Sequence, residues 1–325
     1  MHPLLPLQAA AKEEDREMVV NLINSRERNI EMLNSGYEAL LEITDKNYET
    51  VLSLSVLENQ LDVVERLIAE DPSYQNGSVR KSSDLRRLIY LAADKGYTDM
   101  VKLLSRSYEA RKDIGHTGQT ALHAAIIKRD EATVINLSRD ANKCLVNVAD
   151  NENWTPLHYA SYYEFDSILD VVHVGYKAEE HHSMNGTQWI PTPLHVAAKE
   201  GHTSTVKKLM ELLPADLYVA ADSLTGQNIL HLAVLGNKKE MIRHILKNCP
   251  EEQIDKILNQ QDVNGDTPLH LLIRNGFFVP EVIKHEKIDK MIKNKQYWTS
   301  FDMLYFKDQI TAEQFGCLTS VERTA

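Results

Sequence analysis

A six-residue phrase returns along this chain at nearly constant intervals. "TPLHYA" at 155–160 recurs as "TPLHVA" at 192–197 and "TPLHLL" at 267–272, with looser copies around His123 and His231. The histidines His123, His158, His195, His231 and His270 are spaced by 35, 37, 36 and 39 residues. Fainter copies put Gln8, Ser53, Tyr90 and Asp302 at the same position, which makes about nine repeats. A period this short encodes one small helical unit that cannot bury its apolar face alone. Such units must stack on their neighbours, so the chain has to fold as a one-dimensional array.

Every repeat has one grammar. A polar stretch rich in Asn, Asp and Gly comes first, such as "DNENWT" or "QDVNGDT", and suits a tight turn. Thr then caps a helix and Pro takes its first position, where the missing N–H has no intrahelical partner anyway. The first helix is short and alanine-rich; Gly96 and Gly201 are placed to end it in the left-handed conformation. The second helix shows apolar residues three and four apart: Val206, Leu209, Met210 and Leu213 in one copy, Leu61, Val64, Leu67 and Ile68 in another.

The period and the T-P-L-H-x-A phrase resemble the ankyrin repeat. The resemblance implies an all-α ankyrin-repeat solenoid with short β-like finger turns. More narrowly, the long repeats, the stretch 212–246 and "QDVNGDTPLHL" resemble plant ankyrin proteins of the accelerated-cell-death type. That likeness implies defence or stress signalling, and an array preceding a hydrophobic membrane domain. The sequence in hand stops where that domain would begin. The array is expected over 1–306, strongest at 115–276, with degenerate repeats at 1–110, a C-terminal cap at 277–306 and an irregular tail at 307–325. Residues 24–50 are expected to form a long connection, 71–84 a polar loop and 175–192 a long finger.

Composition narrows the functional classes. A net charge of −11 argues against a nucleic-acid surface, which needs clustered Lys and Arg. No run approaches 18 apolar residues, so no direct membrane insertion is expected. Three widely spaced cysteines, Cys144, Cys249 and Cys317, fit a reducing cytoplasmic compartment better than a disulfide framework. Phosphate-loop, nucleophile-elbow, dinucleotide and zinc-protease motifs are absent from the sequence, so no enzyme and no cofactor is expected.

The repeated histidines are expected to be structural. Packed helices lie about 8–10 Å apart, too far for successive imidazoles to share a metal whose bonds are about 2 Å. "EEHH" at 179–182 is the one cluster with ligand chemistry, but no spaced four-residue set completes it, so no metal is expected. What remains is recognition of protein partners by a concave face made of fingers and first-helix ends. The candidate residues are His116, Gln119, Ile127, Lys128, Trp154, Tyr162, Tyr163, Trp189, Lys199, Glu200 and Gln227. The narrower resemblance implies self-association, or association with membrane-bound relatives and hence a peripheral place at the plasma membrane.

Overall fold

The computed structural model describes residues 51–70, 82–107, 115, 117–138, 145–174, 176, 191–221 and 225–306. The copy at Gln8, the connection at 24–50, the "EEHH" finger and the tail from Lys307 lie outside the described residues. The chain divides into two compact units, Met1–Pro156 and Leu157–Ala325. The first holds three helix pairs among the described residues: α1 (Val51–Leu57) with α2 (Leu61–Glu70), α3 (Ser82–Asp94) with α4 (Thr98–Ser107), and α5 (Ala121–Ile127) with α6 (Glu131–Leu137). At the boundary begins α7 (Pro156–Tyr162), followed by a 3-10 turn and the short α8 (Leu169–Val172). The second unit continues with α9 (Pro193–Glu200) and α10 (Thr203–Leu212), α11 (Ile229–Leu235) and α12 (Lys239–Asn248), α13 (Glu251–Asn259), α14 (Pro268–Arg274) and α15 (Pro280–Ile283), and α16 (Ser300–Phe306).

Packing follows the repeat. In the first unit α1, α3 and α5 form one row and α2, α4 and α6 another. In the second unit the rows are α9, α11, α14, α16 and α8, α10, α12, α15. The rows bury most of what the pattern marked, with Leu61 half-buried. Leu122, Leu157, Leu194, Leu230 and Leu269, all one residue before the histidine, are at most 1% exposed. Each contributes about 1.5–3 kcal/mol. Val206, Leu209, Met210 and Leu213 are likewise buried.

Two details differ from the sequence reading. The loop expected at 71–84 is shorter, because α3 already starts at Ser82. An extra helix, α13, fills the longest spacing. Pro250 leads into it, and it buries Ile254, Ile257 and Leu258 against the core.

Four of the five histidines join their repeat to the next. In α14, Thr267 caps the helix by accepting the His270 N–H, and the Thr267 N–H donates to His270 Nδ1 at 3.2 Å. The same reciprocal contact links Thr120 to His123 at 3.0 Å and Asn228 to His231 at 3.2 Å. Because Nδ1 accepts, Nε2 carries the proton. It is aimed at a backbone carbonyl of the following repeat: Trp154 for His123 (3.0 Å), Asp266 for His231 (3.2 Å) and Trp298 for His270 (3.1 Å). His158 Nε2 reaches the Pro191 carbonyl in the same way at 2.7 Å. In the last described repeat Asp302 replaces histidine, accepting from the Thr299 N–H at 2.7 Å while Thr299 Oγ1 accepts its own N–H. That repeat, read from sequence as a degenerate cap, keeps the full cap geometry.

The fingers share a second geometry. Gly115, Asp150, Asp262 and Asn294 each donate a backbone N–H to the carbonyl four residues on, at 2.7–3.0 Å. In the last three, the side-chain Oδ1 accepts two further N–H groups of the same turn, as Asp262 does from Asn264 and Asp266. Successive fingers are stitched by single backbone bonds: Asn151 N–H to Thr117 O, Val263 N–H to Thr225 O, and Lys295 N–H to Asn264 O, at 3.0, 2.8 and 2.9 Å. These are the β-like turns, without a strand among the described residues.

Three residues past the start of each finger the chain turns left-handed. Gly118, Asn153, Gly265 and Tyr297 have φ of 78°, 61°, 78° and 64°. At Gly265 a Cβ would lie 2.7 Å from the Lys295 backbone nitrogen, whereas at Gly276 (φ 65°) nothing lies within 4 Å. Gly276→Ala should therefore cost about 1 kcal/mol from backbone conformation alone. Gly265→Ala should cost roughly 2–4 kcal/mol, because steric overlap adds to it. Urea unfolding of the two variants checks the difference.

Burial holds His123 and His231 well below the usual imidazole value, each down to about 4. Protonation would also set a hydrogen on Nδ1 against the N–H it accepts. The unfolded chain takes up these protons near pH 6.5, the folded chain only near pH 4, so unfolding binds protons in that window. Stability is complete above pH 6.5 and falls as pH drops, by up to about 1.4 kcal/mol per pH unit for each ring. Urea midpoints between pH 7.5 and 4.5 measure this, and His231→Gln should make the dependence shallower.

Candidate functional site

The caps, bridges and core fix most positions of a repeat, and three registers are left over. The first is the residue just before the helix cap. Its backbone is used twice, as the carbonyl that receives a histidine and as the amide that closes the finger, while its side-chain type differs from repeat to repeat. Gln119, Trp154 and Gln227 all stand here, each half-buried. The second register lies four residues past the histidine position and holds Ile127, Tyr162 and Lys199. The third, one residue further, holds Lys128, Tyr163 and Glu200. Nine of the eleven residues singled out from sequence therefore fall into three equivalent positions. His116 and Trp189 lie outside the described residues.

The two tyrosines part company. Tyr162 is 40% exposed, while Tyr163 is half-buried. Tyr163 stacks on Tyr159, with ring centroids 6.4 Å apart, and meets the edge of Tyr162 at 5.1 Å. The Tyr162 backbone carbonyl accepts from His202 Nε2 at 2.9 Å, which holds the end of α7 against the next repeat. Lys199 and Glu200 are exposed at the end of α9, and Lys128 faces Asp94 of the preceding repeat at 3.7 Å. Ile127 is half-buried.

The same registers contain residues that the sequence reading passed over. Leu235 occupies the Tyr162 position on α11 and is 42% exposed. Arg274 occupies it on α14, where it pairs with the buried Asp266 carboxylate at 2.6 Å. Trp298 stands where Trp154 does and is exposed. Counting from the histidine would have found all three.

The arrangement offers surface rather than reaction chemistry. Both ring nitrogens of His123, His231 and His270 are engaged by backbone groups, which leaves none for a metal. Among the described residues no three His, Cys, Asp or Glu side chains gather so as to hold an ion. Burial, then the neighbouring Glu251 charge, pushes the Cys249 thiol up to about 11, so it is not an activated nucleophile. No described helix is long and apolar enough to cross a membrane.

Comparison with known proteins agrees with this architecture. A family model described as ankyrin repeats in three copies matches residues 88–185 and again 174–257. The chain is 25% identical over 186 residues to the target of rapamycin complex 2 subunit AVO2 of Saccharomyces cerevisiae, covering 56% of this chain and 41% of that protein. It is 25% identical over 249 residues to the human transient receptor potential cation channel subfamily A member 1, covering 75% of this chain and 21% of the channel. The chain thus spans less than half the length of these relatives. Among solved structures, the ankyrin repeat domain of Bcl-3 matches with a TM-score of 0.46 and 21% identity, over 84% of this chain and 98% of that one. With the repeated caps, the finger turns and a family model spanning just over half of its length, the chain belongs to the ankyrin repeat family.

Proposed function

We propose that this protein is a non-catalytic adaptor that binds protein partners through its fingers and first-helix ends. The observation that carries the reading is the division of labour within a repeat. Caps, histidine bridges and leucines are repeated and buried, while the residues before the cap and at the end of the first helix vary and, apart from the buried Asp266, are exposed or half-exposed. Variation confined to one set of positions is where a repeat protein keeps its specificity. Exposed aromatics such as Tyr162 suit hot spots, because they bury large area with one polar handle. Gln119, Ile127, Lys128, Trp154, Tyr163, Lys199, Glu200 and Gln227 complete the proposed contact set, with His116 and Trp189 as its members outside the described residues.

The acidic charge and sparse cysteines support a cytoplasmic setting. The narrower resemblance, carried by 212–246 and "QDVNGDTPLHL", supports a place in plant defence or stress signalling, with self-association or association with membrane-bound relatives. A second reading makes the chain the cytosolic regulatory module of a membrane-anchored, channel-like protein. The likeness to a cation channel over three quarters of the chain favours it. Sequencing the complete transcript separates the two: hydrophobic helices encoded beyond residue 325 would replace the adaptor by the regulatory module.

Affinity capture with the purified chain tests the contact set. Tyr162→Ala should weaken capture of a partner by about tenfold. Its melting temperature should stay within about 1 °C of the parent, as for an ordinary surface substitution. Tyr163→Ala should lower the melting temperature, because its ring packs on Tyr159. Loss of folding in Tyr162→Ala would instead make that ring part of the core.

A further inference from the structure

The last described finger breaks the rule that shapes the others. Its left-handed position is filled by Gly118, Asn153 and Gly265 in the equivalent turns but by Tyr297 here, at φ 64°. A bulky side chain is strained in this conformation, and such strain persists where it serves something other than folding. The fold gains nothing visible from the ring, which is 82% exposed. The reason the others are small is also on hand: Gly118 and Gly265 lie under the next finger, and their Cβ atoms would strike it. Among the described residues no finger stacks beyond 294–298, so Tyr297 has room to project.

Its surroundings are apolar and basic. Trp298 is exposed beside it, and Val263 is exposed on the finger bonded to this one through Asn264 and Lys295. Met291, 71% exposed, precedes the finger on a segment held by the bond from Ser300 Oγ to the Lys290 carbonyl. Between 284 and 298 the chain carries five lysines against Glu286 and Asp289, inside a molecule of net charge −11. Lys293 and Lys295 are exposed at the finger itself. Asp302 lies within electrostatic reach of Lys293 and is already held by the Thr299 amide and hydroxyl, and the Asp266 carboxylate behind the finger is held by Asn294 and Arg274.

We infer that this finger is a docking site for an acidic peptide segment of a partner, with Tyr297, Trp298 and Met291 gripping an apolar side chain between its carboxylates and Lys293 and Lys295 facing the carboxylates. The inference rests on the protein-binding reading and names the partner chemistry at one end of the second unit. An anionic bilayer would also attract lysines and aromatics. It is an extended plane, however, and would meet the repulsion of the whole acidic chain, whereas a short peptide feels only charges within about a Debye length, 8–10 Å.

The test is selection of displayed 12-residue random peptides on the full chain, followed by fluorescence anisotropy with the selected peptides. Selected sequences should combine Asp or Glu with Phe, Trp or Leu. Their affinity should fall by about tenfold or more in Tyr297→Asn and in the double variant Lys293→Glu with Lys295→Glu. The Tyr297→Asn melting temperature should be unchanged or raised by about 2 °C, since asparagine tolerates the turn. Peptides that bind Tyr297→Asn as well as the parent but lose affinity in Tyr162→Ala would overturn this site and leave the general reading standing. Binding to phosphatidylserine vesicles that depends on Lys293 and Lys295, with no acidic peptide selected, would replace the peptide by a membrane. Failure to select any peptide, without vesicle binding, would count against both readings.

Discussion

A neutral imidazole placed between two backbone groups is the interaction on which the repeats depend. One nitrogen accepts the amide that opens a helix, the other donates to the carbonyl that precedes the next helix cap. A helix start leaves N–H groups unsatisfied, and a buried turn leaves a carbonyl unsatisfied. Histidine settles one of each with a rigid ring of the right span, and does so only while it is uncharged. Burial supplies that condition, holding His123 and His231 down near 4 rather than in the usual imidazole range. The same scheme explains the substitution at Asp302, where the cap survives as a carboxylate and the bridge onward is not made by a ring.

The fingers follow from that arrangement. Because the histidine fixes the residue before the cap, the turn ahead of it is held at one end. Asp150, Asp262 and Asn294 close it from inside, and single backbone bonds stitch each finger to its neighbour. Close stitching excludes a Cβ at Gly118 and Gly265, where it would strike the next finger. Tyr297 is admissible where nothing further is stacked above it among the described residues. A structural constraint and a functional opportunity thus sit at the same register of different repeats.

Much of this was legible in the sequence because the period is short and the code is local. Cap, proline, histidine and leucine lie within four residues, so "TPLH" states its geometry without help from distant parts of the chain. Helix α13 was missed although Ile254, Ile257 and Leu258 are spaced for a helix, because every repeat was parsed as two helices and α13 is a third. Leu235, Arg274 and Trp298 were passed over for a different reason. The free positions were read chiefly from the central repeats, and a leucine in an alanine-rich helix reads as core until its neighbours are known.

By itself the sequence determined the repeat, its two helices, the structural role of the histidines and the absence of familiar catalytic motifs, all of which depend on contacts within one repeat or on one repeated contact. Only the tertiary structure decided which side of a helix end meets water: that Tyr163 folds back on Tyr159 while Tyr162 projects, and that Tyr297 stands exposed in a strained turn. Those outcomes depend on where the neighbouring repeat ends and how closely its finger approaches, distances that no single repeat encodes.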